Sequence, residues 1–200
     1  MTIHNLFPTP VQFFKLDREL EENEYSFLLN QKQRENSGNT SSVDNYILQN
    51  KKLSNLNRFI ELSLNKYFKE IYAPSKNVKP YITQSWVNYC KKGQFHHVHE
   101  HPNSFISGIF YIQADANKDK IYFYKNGYRQ LSIPTNDFNL YNSTSWWLEV
   151  KTGDLILFPS SLTHKVETVE TDLRMSLSFN TFLKGTLGVN YDLTELHLEK

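Results

Sequence analysis

The sequence contains very little cysteine, glycine and proline, with one cysteine (Cys90), seven glycines and seven prolines in 200 residues. A single cysteine excludes an intramolecular disulfide and is typical of a reducing compartment. The scarcity of Gly and Pro, together with 14% aromatic residues, excludes a low-complexity or disordered chain. A chain of this length can bury one core, so we expect a single domain over residues 1–200.

The sequence also lacks an excess of charge and long apolar runs. Lys and Arg number 22 against 21 Asp and Glu, the formal net charge is +1, and no basic block forms. Nothing therefore indicates binding to nucleic acid. We find no signal sequence and no apolar run that could span a membrane. These absences predict a cytoplasmic protein without a membrane partner.

Two helical segments are predicted in the first part of the chain. Residues 16–33 carry apolar residues at helical spacing, and residues 53–72 place Leu56, Ile60 and Leu64 on one stripe. The polar residues 34–45 between them predict an exposed loop. We expect the region of about 16–72 to form a helical support for the rest of the fold.

From Pro80 onward the pattern changes to short runs of β-branched and aromatic residues separated by turn residues. Seven such runs are present: YITQSWVNYC, FISGIFYI, KIYFY, SWWLEV, DLILFPS, HKVETV and RMSLSFNTFL. They predict a mainly β core over about 81–183, built as a sandwich or as a jelly roll. Periodicity alone does not distinguish these two architectures.

Four histidines lie within six positions in HHVHEH, residues 96–101. In an extended chain His97, His99 and His101 share one face, while His96 and Glu100 point to the other. Two of the three could bind one metal ion, as the pair 99 and 101 or the pair 97 and 99. A third ligand must come from elsewhere, and His164 is the other histidine among the predicted strands. Clustered surface histidines can also be plain solvated residues.

An arginine, Arg174, and a serine, Ser176, share one face of a strand that otherwise looks buried. A buried guanidinium needs an anionic partner, because leaving it unpaired costs several kcal/mol. That partner could be a bound carboxylate ligand, or a nearby acidic side chain such as Asp172 or Glu167.

Together, the His-x-His pair, the distant His164, Arg174 ten residues later and then Ser176 resemble the Fe(II)- and 2-oxoglutarate-dependent oxygenases. The resemblance extends over the segments LFPTPVQFF, WVNYCKKGQ, HEHPNSFISGIFYI, GDLILFPSSLTH and RMSLSFN. Within the superfamily, the sequence is similar to a prolyl-hydroxylase-like group from bacteria and phages. It implies a double-stranded β-helix, a cupin-like jelly roll with N-terminal helices. It also implies a dioxygenase that uses Fe(II), 2-oxoglutarate and dioxygen.

The resemblance implies His99, His101 and His164 as the metal ligands. Prolyl-hydroxylase-like members have a glycine several residues before the first metal histidine, and Gly93 matches it. Their ligand pair is His-x-Asp, so His101 stands where a carboxylate is usual. Three neutral ligands would leave the iron centre one unit more positive, which can tighten binding of an anionic co-substrate.

The resemblance further implies that Arg174 pairs with the distal carboxylate of 2-oxoglutarate, assisted by Ser176 and Tyr111. Asn88, with Tyr89 as its alternative, and Asn180 would border the same pocket. The reaction would be hydroxylation of an unidentified amino acid, peptide or small metabolite, with release of succinate and CO2. The aromatic and amide-rich segment 124–147 is the predicted substrate-facing loop.

Two other interpretations remain open from the sequence. A cupin-type metal enzyme would use the same three histidines, although the Glu that normally follows the His pair of a cupin is missing. A non-catalytic jelly-roll binding protein would hold neither metal nor co-substrate. Exposed edge strands of the predicted sheets would allow a homodimer.

Overall fold

The computed structural model describes residues 2–75, 77–127, 131 and 133–198. In these residues the helices are α1 (Glu22–Leu29) and α2 (Ser54–Tyr72), and two short 3-10 turns precede α2. The strands are β1 (Gln12–Lys15), β2 (Gln33–Asn36), β3 (Asn39–Ser42), β4 (Lys79–Lys91), β5 (His96–His99), β6 (Ile106–Gln113), β7 (Lys120–Tyr124), β8 (Ser145–Glu149), β9 (Asp154–Pro159), β10 (His164–Val166), β11 (Leu173–Leu187) and β12 (Leu196–Leu198).

The strands form two antiparallel sheets that face each other. The major sheet has the order β1-β9-β6-β11-β4-β3-β2, with β12 paired to β11, and the minor sheet has the order β5-β10-β7-β8. Ile109, Tyr111 and Phe158 of the major sheet pack against Ile121 and Phe123 of the minor sheet. This mainly β jelly roll confirms the predicted fold class.

The other face of the major sheet is covered by the helices. Leu56, Ile60 and Leu64 of α2 are buried in one cluster with Phe110 and Leu177 of the sheet. Burial on both faces explains why β6, β9 and the first half of β11 are buried almost continuously instead of at every second residue. Odd and even positions of these strands therefore face two different interiors.

The predicted helix over residues 16–33 is wrong at both ends, because only Glu22–Leu29 is helical. Its start is fixed by a capping box in which Glu21 and Glu24 bond to each other's backbone N–H groups. Upstream, the N–H of Leu16 donates to the carbonyl of Gly153 and so continues the strand pairing of β1. Downstream, Gln33 already begins β2.

The predicted exposed loop over residues 34–45 is also wrong for most of its length. Residues 33–42 form the β2–β3 hairpin, and β3 joins the edge of β4 through the pairs Thr40 with Tyr89 and Ser41 with Asn88. Gly38 occupies the turn with φ +91, where glycine is favoured. The hairpin extends the major sheet toward the histidine cluster. No helix in the described part of the chain is long and apolar enough to cross a bilayer.

Candidate metal centre

The three predicted ligands, His99, His101 and His164, lie together at one end of the interior between the sheets. His99 ends β5 directly opposite His164 at the start of β10. His101 follows two residues later, and its N–H donates to the carbonyl of Ser160 at 3.0 Å, which holds it beside the turn after β9. The ligand nitrogens of the three imidazoles all lie within 4.8 Å of one another. We call these residues the histidine triad.

The hydrogen bonds of two triad members fix which ring nitrogen is free. Nδ1 of His99 donates to the carbonyl of His97 at 2.8 Å, and Nδ1 of His164 donates to the carbonyl of Leu162 at 3.0 Å. Because a carbonyl only accepts, Nδ1 carries the proton in both rings and Nε2 keeps its lone pair. This is the arrangement by which proteins orient metal-binding histidines.

Burial keeps the triad uncharged. It lowers the pKa of His164 to about 3, with a smaller contribution from His99, and lowers the pKa of His101 to about 4. Burial also lowers the pKa of His99. The aromatic ring of Phe158 packs edge-on against His164, with 4.9 Å between ring centroids. All three rings are therefore neutral near pH 7, and a metal ion can bind them without displacing protons.

The expected strict alternation through residues 96–101 is wrong at His96. Pairing joins His99 to His164 and His96 to Val166, so three steps along β5 match two steps along β10. This bulge turns His96 to the side of His99, and the two rings stack with centroids 4.5 Å apart. Consequently, His96, His97 and His99 form a second group whose ligand nitrogens lie within 4.8 Å.

Arg174 lies on β11 inside the fold, with 3% of its side chain exposed. Its Nη2 donates to the hydroxyl of Tyr111 at 3.4 Å, and its guanidinium lies 5.0 Å from the centre of the Tyr111 ring. Burial raises the pKa of Tyr111 to about 12, so the hydroxyl stays protonated. Burial lowers the pKa of His96 to about 2, and the charge of Arg174 adds to this lowering. Tyr111 belongs to the same buried cluster as Phe158, whose ring contacts His164, so the guanidinium and the histidines border one interior.

The acidic neighbours suggested for Arg174 by the sequence are wrong. Glu167 pairs instead with Lys165 at 2.6 Å, and Asp172 is exposed. The carboxylate beside Arg174 is Asp119, immediately before β7, with Oδ1 4.0 Å from Nε and 3% exposed. Asp119 was missed because a lone aspartate before a strand resembles an ordinary turn residue. Its burial follows from the opposing sheet, which sequence periodicity does not reveal.

The remaining predicted co-substrate residues lie on the same side of the major sheet as Arg174. Ser176 is directly opposite Asn88 on β4 and Tyr111 on β6, and directly opposed residues share a face. Asn180 faces the same side as Arg174 and Ser176, because the irregularity in the pairing of β11 with β4 begins only after Asn180. Tyr89 points the other way, where its hydroxyl donates to the carbonyl of Leu28 at 2.6 Å. Of the two, Asn88 is therefore the residue that faces the same side as Arg174.

Buried polar atoms without a partner indicate where a polar ligand would fit. Among the described residues, five buried side-chain atoms make no hydrogen bond, and three of them are Nε of Arg174, Oδ1 of Asn88 and Oδ1 of Asn180. Such atoms cost free energy unless a ligand or water satisfies them. Neutral imidazoles suit iron, and an unsatisfied guanidinium suits a carboxylate. The residues present therefore fit both Fe(II) and 2-oxoglutarate.

A cleft of about 480 Å³ opens beside the histidines. Its walls include Arg34, Glu35 and Asn36 of the β2–β3 hairpin and Gln84 and Trp86 of β4. The indole of Trp86 lies 5.8 Å from the His101 ring. The hairpin residues were not predicted as part of the site because residues 34–45 were interpreted as a loop, although the Ser-Gly turn was an available signal for a hairpin.

The predicted substrate-facing segment 124–147 is described only in part, since residues 128–130 and 132 lie outside the described residues. Its last part is the edge strand β8, where Trp147 stacks on Tyr122 and is 39% exposed. Trp146 and Trp147 are therefore not fully buried core residues. Several apolar side chains of the described loop are exposed, among them Ile133, Phe138 and Leu140.

Comparison with known proteins finds a family model that matches the central part of the chain. Residues 84–180, just under half of the chain, match the family model described as "Putative 2OG-Fe(II) oxygenase". This range contains the histidine triad, Arg174 and all of the predicted co-substrate residues. The match is to an oxygenase family, which favours that interpretation over a cupin or a non-catalytic jelly roll. No match was found among curated proteins.

Solved structures share the fold. An oxidoreductase of the 2OG-Fe(II) oxygenase family from Burkholderia pseudomallei has a TM-score of 0.56 at 13% identity, covering 78% of this chain and 74% of that chain. HygX from Streptomyces hygroscopicus, solved with nickel, 2-oxoglutarate and hygromycin B, has a TM-score of 0.56 at 12% identity, covering 86% and 82%. A prolyl-4-hydroxylase from Pseudomonas putida has a TM-score of 0.54 at 11% identity, covering 86% and 92%. The chain is thus similar to the 2OG-Fe(II) oxygenases in sequence over residues 84–180, and it shares its overall fold with solved members of that group.

Proposed function

We propose that the protein is a hydroxylase that converts a C–H bond of an amino acid, a peptide or another small metabolite to an alcohol. One oxygen atom of dioxygen enters the substrate, and the other enters succinate as 2-oxoglutarate loses CO2. The observation that carries the proposal is that three convergent imidazoles and a buried, incompletely paired guanidinium share one interior. Either feature alone would be compatible with a structural role. Together they match a metal ion and a carboxylate co-substrate bound side by side.

In this proposal His99, His101 and His164 hold Fe(II) through three imidazole nitrogens, Nε2 in the case of His99 and His164. Bound Fe(II) would supply the redox chemistry by which dioxygen, 2-oxoglutarate and the substrate react. The protein contributes rigid placement, since two ligands are opposed across paired strands. The third is tied to Ser160 by its own backbone. Rigid strands position ligands more accurately than loops do.

Arg174 is proposed to bind the distal carboxylate of 2-oxoglutarate. A guanidinium presents parallel N–H groups that match a carboxylate in two hydrogen bonds. Tyr111, held protonated, can add a hydroxyl donor, and Ser176 lies directly opposite it on the neighbouring strand. Asn88 and Asn180 lie on the same side of the major sheet as Arg174 and Ser176, so we propose that they border the same pocket.

The replacement of a carboxylate ligand by His101 has a chemical consequence in this proposal. Each described group of three potential ligands consists of histidines, so the protein gives the iron no negative charge. An anionic 2-oxo acid would then be attracted more strongly than at a site with two histidines and one carboxylate. The proposed enzyme should therefore bind 2-oxoglutarate tightly and discriminate against neutral 2-oxo compounds.

Anaerobic titration tests the proposal. Addition of Fe(II) and then 2-oxoglutarate should produce a visible charge-transfer band, and air should convert 2-oxoglutarate to succinate in equal amount to CO2. His164→Ala should lose the band because one of three ligands is gone, while His197→Ala, an exposed C-terminal control, should keep it. A band of full intensity in His164→Ala would overturn the triad. A substrate panel scored by succinate release then identifies the hydroxylated compound.

A further inference from the structure

The second histidine group, His96, His97 and His99, is not used by the proposed reaction except through His99. Its ligand nitrogens are as close together as those of the triad, all within 4.8 Å. The ring of His97 lies 4.9 Å from that of His99, and the ring of His96 lies 5.2 Å from that of His97. Three imidazoles this close together can share one ion.

The group exists because of the bulge in β5. A regular strand would direct His96 away from His99, since side chains alternate with a period of two. The extra residue between the pairs His99 with His164 and His96 with Val166 reverses that parity. Bulges commonly re-aim a side chain next to an active site. Here the re-aimed side chain is a further imidazole at the open side of the triad, in the wall of the cleft.

The remaining contacts of these rings are weak enough to be replaced. His96 Nε2 lies 3.4 Å from Nδ2 of Asn36, which also donates to Asn39 at the shorter distance of 2.8 Å. His97 Nδ1 lies 3.4 Å from the carbonyl of Ser37. Hydrogen bonds at this distance contribute little. A metal ion that displaces them therefore loses little protein bonding.

We propose that His96, His97 and His99 form a second site for a divalent transition-metal ion, and that its occupation excludes an ion from the triad. The exclusion rests on the proposed triad and follows from His99. Its Nδ1 is committed to the carbonyl of His97, so Nε2 is its single free donor, and one lone pair binds one ion. The chemical class is set by three imidazoles, which favour Zn(II), Cu(II) and Ni(II) over Mg(II) or Ca(II).

The consequence is inhibition by metal capture. An ion held by His96 and His97 withdraws His99 from the triad and leaves iron with two protein ligands. Excess Zn(II) would then inhibit through residues that the reaction itself does not need. Direct replacement of iron in the triad would also inhibit, so the two routes have to be separated by variants.

The deciding experiment measures Zn(II) binding to His101→Ala/His164→Ala by isothermal titration calorimetry. This variant lacks two triad ligands but keeps the second site, and we expect it to bind one equivalent. The matched control adds His96→Ala/His97→Ala, and affinity should fall by at least about 100-fold, the upper range for loss of even an outer-shell partner. Equal binding by the two variants, or none by either, overturns the second site. Circular dichroism of both variants confirms that they are folded.

A second measurement keeps the inference separate from the proposed function. The His96→Ala/His97→Ala variant, with no other change, should still form the anaerobic Fe(II) and 2-oxoglutarate band. The unchanged chain should bind one equivalent of Zn(II). Two equivalents of Zn(II) in the unchanged chain would overturn the mutual exclusion. Loss of the band in His101→Ala/His164→Ala with persistent Zn(II) binding supports both conclusions. Retention of the full band there would overturn the triad while leaving the second site standing.

Discussion

Asp119 Oδ1 lies 4.0 Å from Arg174 Nε, and both side chains are 3% exposed. The guanidinium that is proposed to bind 2-oxoglutarate therefore already has a carboxylate beside it, without a hydrogen bond to Nε. A weakly engaged partner offsets part of the cost of a buried charge while leaving donors available to a ligand. This pairing leads to the first prediction.

Asp119→Asn should destabilise the ligand-free protein by about 1–3 kcal/mol, because it leaves the Arg174 charge without compensation. It should also tighten 2-oxoglutarate binding, since the repulsion between two carboxylates disappears. Urea unfolding with and without 2-oxoglutarate measures both effects. Asp172→Asn, which removes an exposed carboxylate two residues from Arg174, is the control and should change neither. Weaker 2-oxoglutarate binding in Asp119→Asn would show that Asp119 mainly orients the guanidinium.

Arg174→Lys should raise KM for 2-oxoglutarate by about 10- to 100-fold, because the charge remains while the paired hydrogen bonds, worth about 1.5–3 kcal/mol, are lost. Iron affinity should be unchanged, since Arg174 is not in the triad. Steady-state succinate formation and iron titration check the two statements. Arg18→Lys alters an arginine paired with Glu24 away from the site and serves as control. An equal loss of iron would contradict the assigned role.

His101→Asp should keep iron but bind 2-oxoglutarate several-fold more weakly, because the new carboxylate adds one negative charge at the metal. His101→Ala, by contrast, should bind iron poorly. Anaerobic titration of 2-oxoglutarate against the charge-transfer band gives both values. Tighter binding of 2-oxoglutarate to His101→Asp would refute the charge argument.

The metal-free protein should lose stability when the pH falls below about 6.5. His164 and His101 have pKa values of about 3 and 4 in the folded protein against 6.5 as the ordinary value. As the pH falls, these histidines are therefore protonated in the unfolded chain before they are protonated in the folded protein. The stability present above pH 6.5 is lost as the pH approaches the pKa values of the folded protein. By pH 5 the loss should reach about 2 kcal/mol for each such histidine.

Urea unfolding at pH 7 and at pH 5 measures this loss. His164→Asn should show a smaller difference between the two pH values, because one of the neutral buried imidazoles is gone. His197→Ala should retain the full difference, as its exposed side chain lies in β12. A difference of the same size in His164→Asn would show that other groups cause the acid sensitivity.

Much of the site was readable from the sequence because its residues come in short local patterns. The spacing of His99 and His101, and that of Arg174 and Ser176, puts each pair on one strand face whatever the tertiary arrangement. The sequence did not show whether Asn88 or Tyr89 faces the pocket, because a strand buried on both faces has no alternation of polar and apolar residues. The location of Asp119 could not be predicted, since it depends on how β7 of one sheet faces β11 of the other.

The sequence by itself determined the helix over residues 54–72, the seven strand runs from Pro80 onward and the three histidines that can meet. Residue chemistry and strand periodicity are local properties, and they persist in any fold that keeps the strands extended. The tertiary structure alone decided that the polar segment after α1 is a sheet-edge hairpin and that Asp119 accompanies Arg174. It alone decided that a bulge turns His96 toward His99. Those features depend on pairing between strands far apart in the chain, where one extra residue reverses every following side chain.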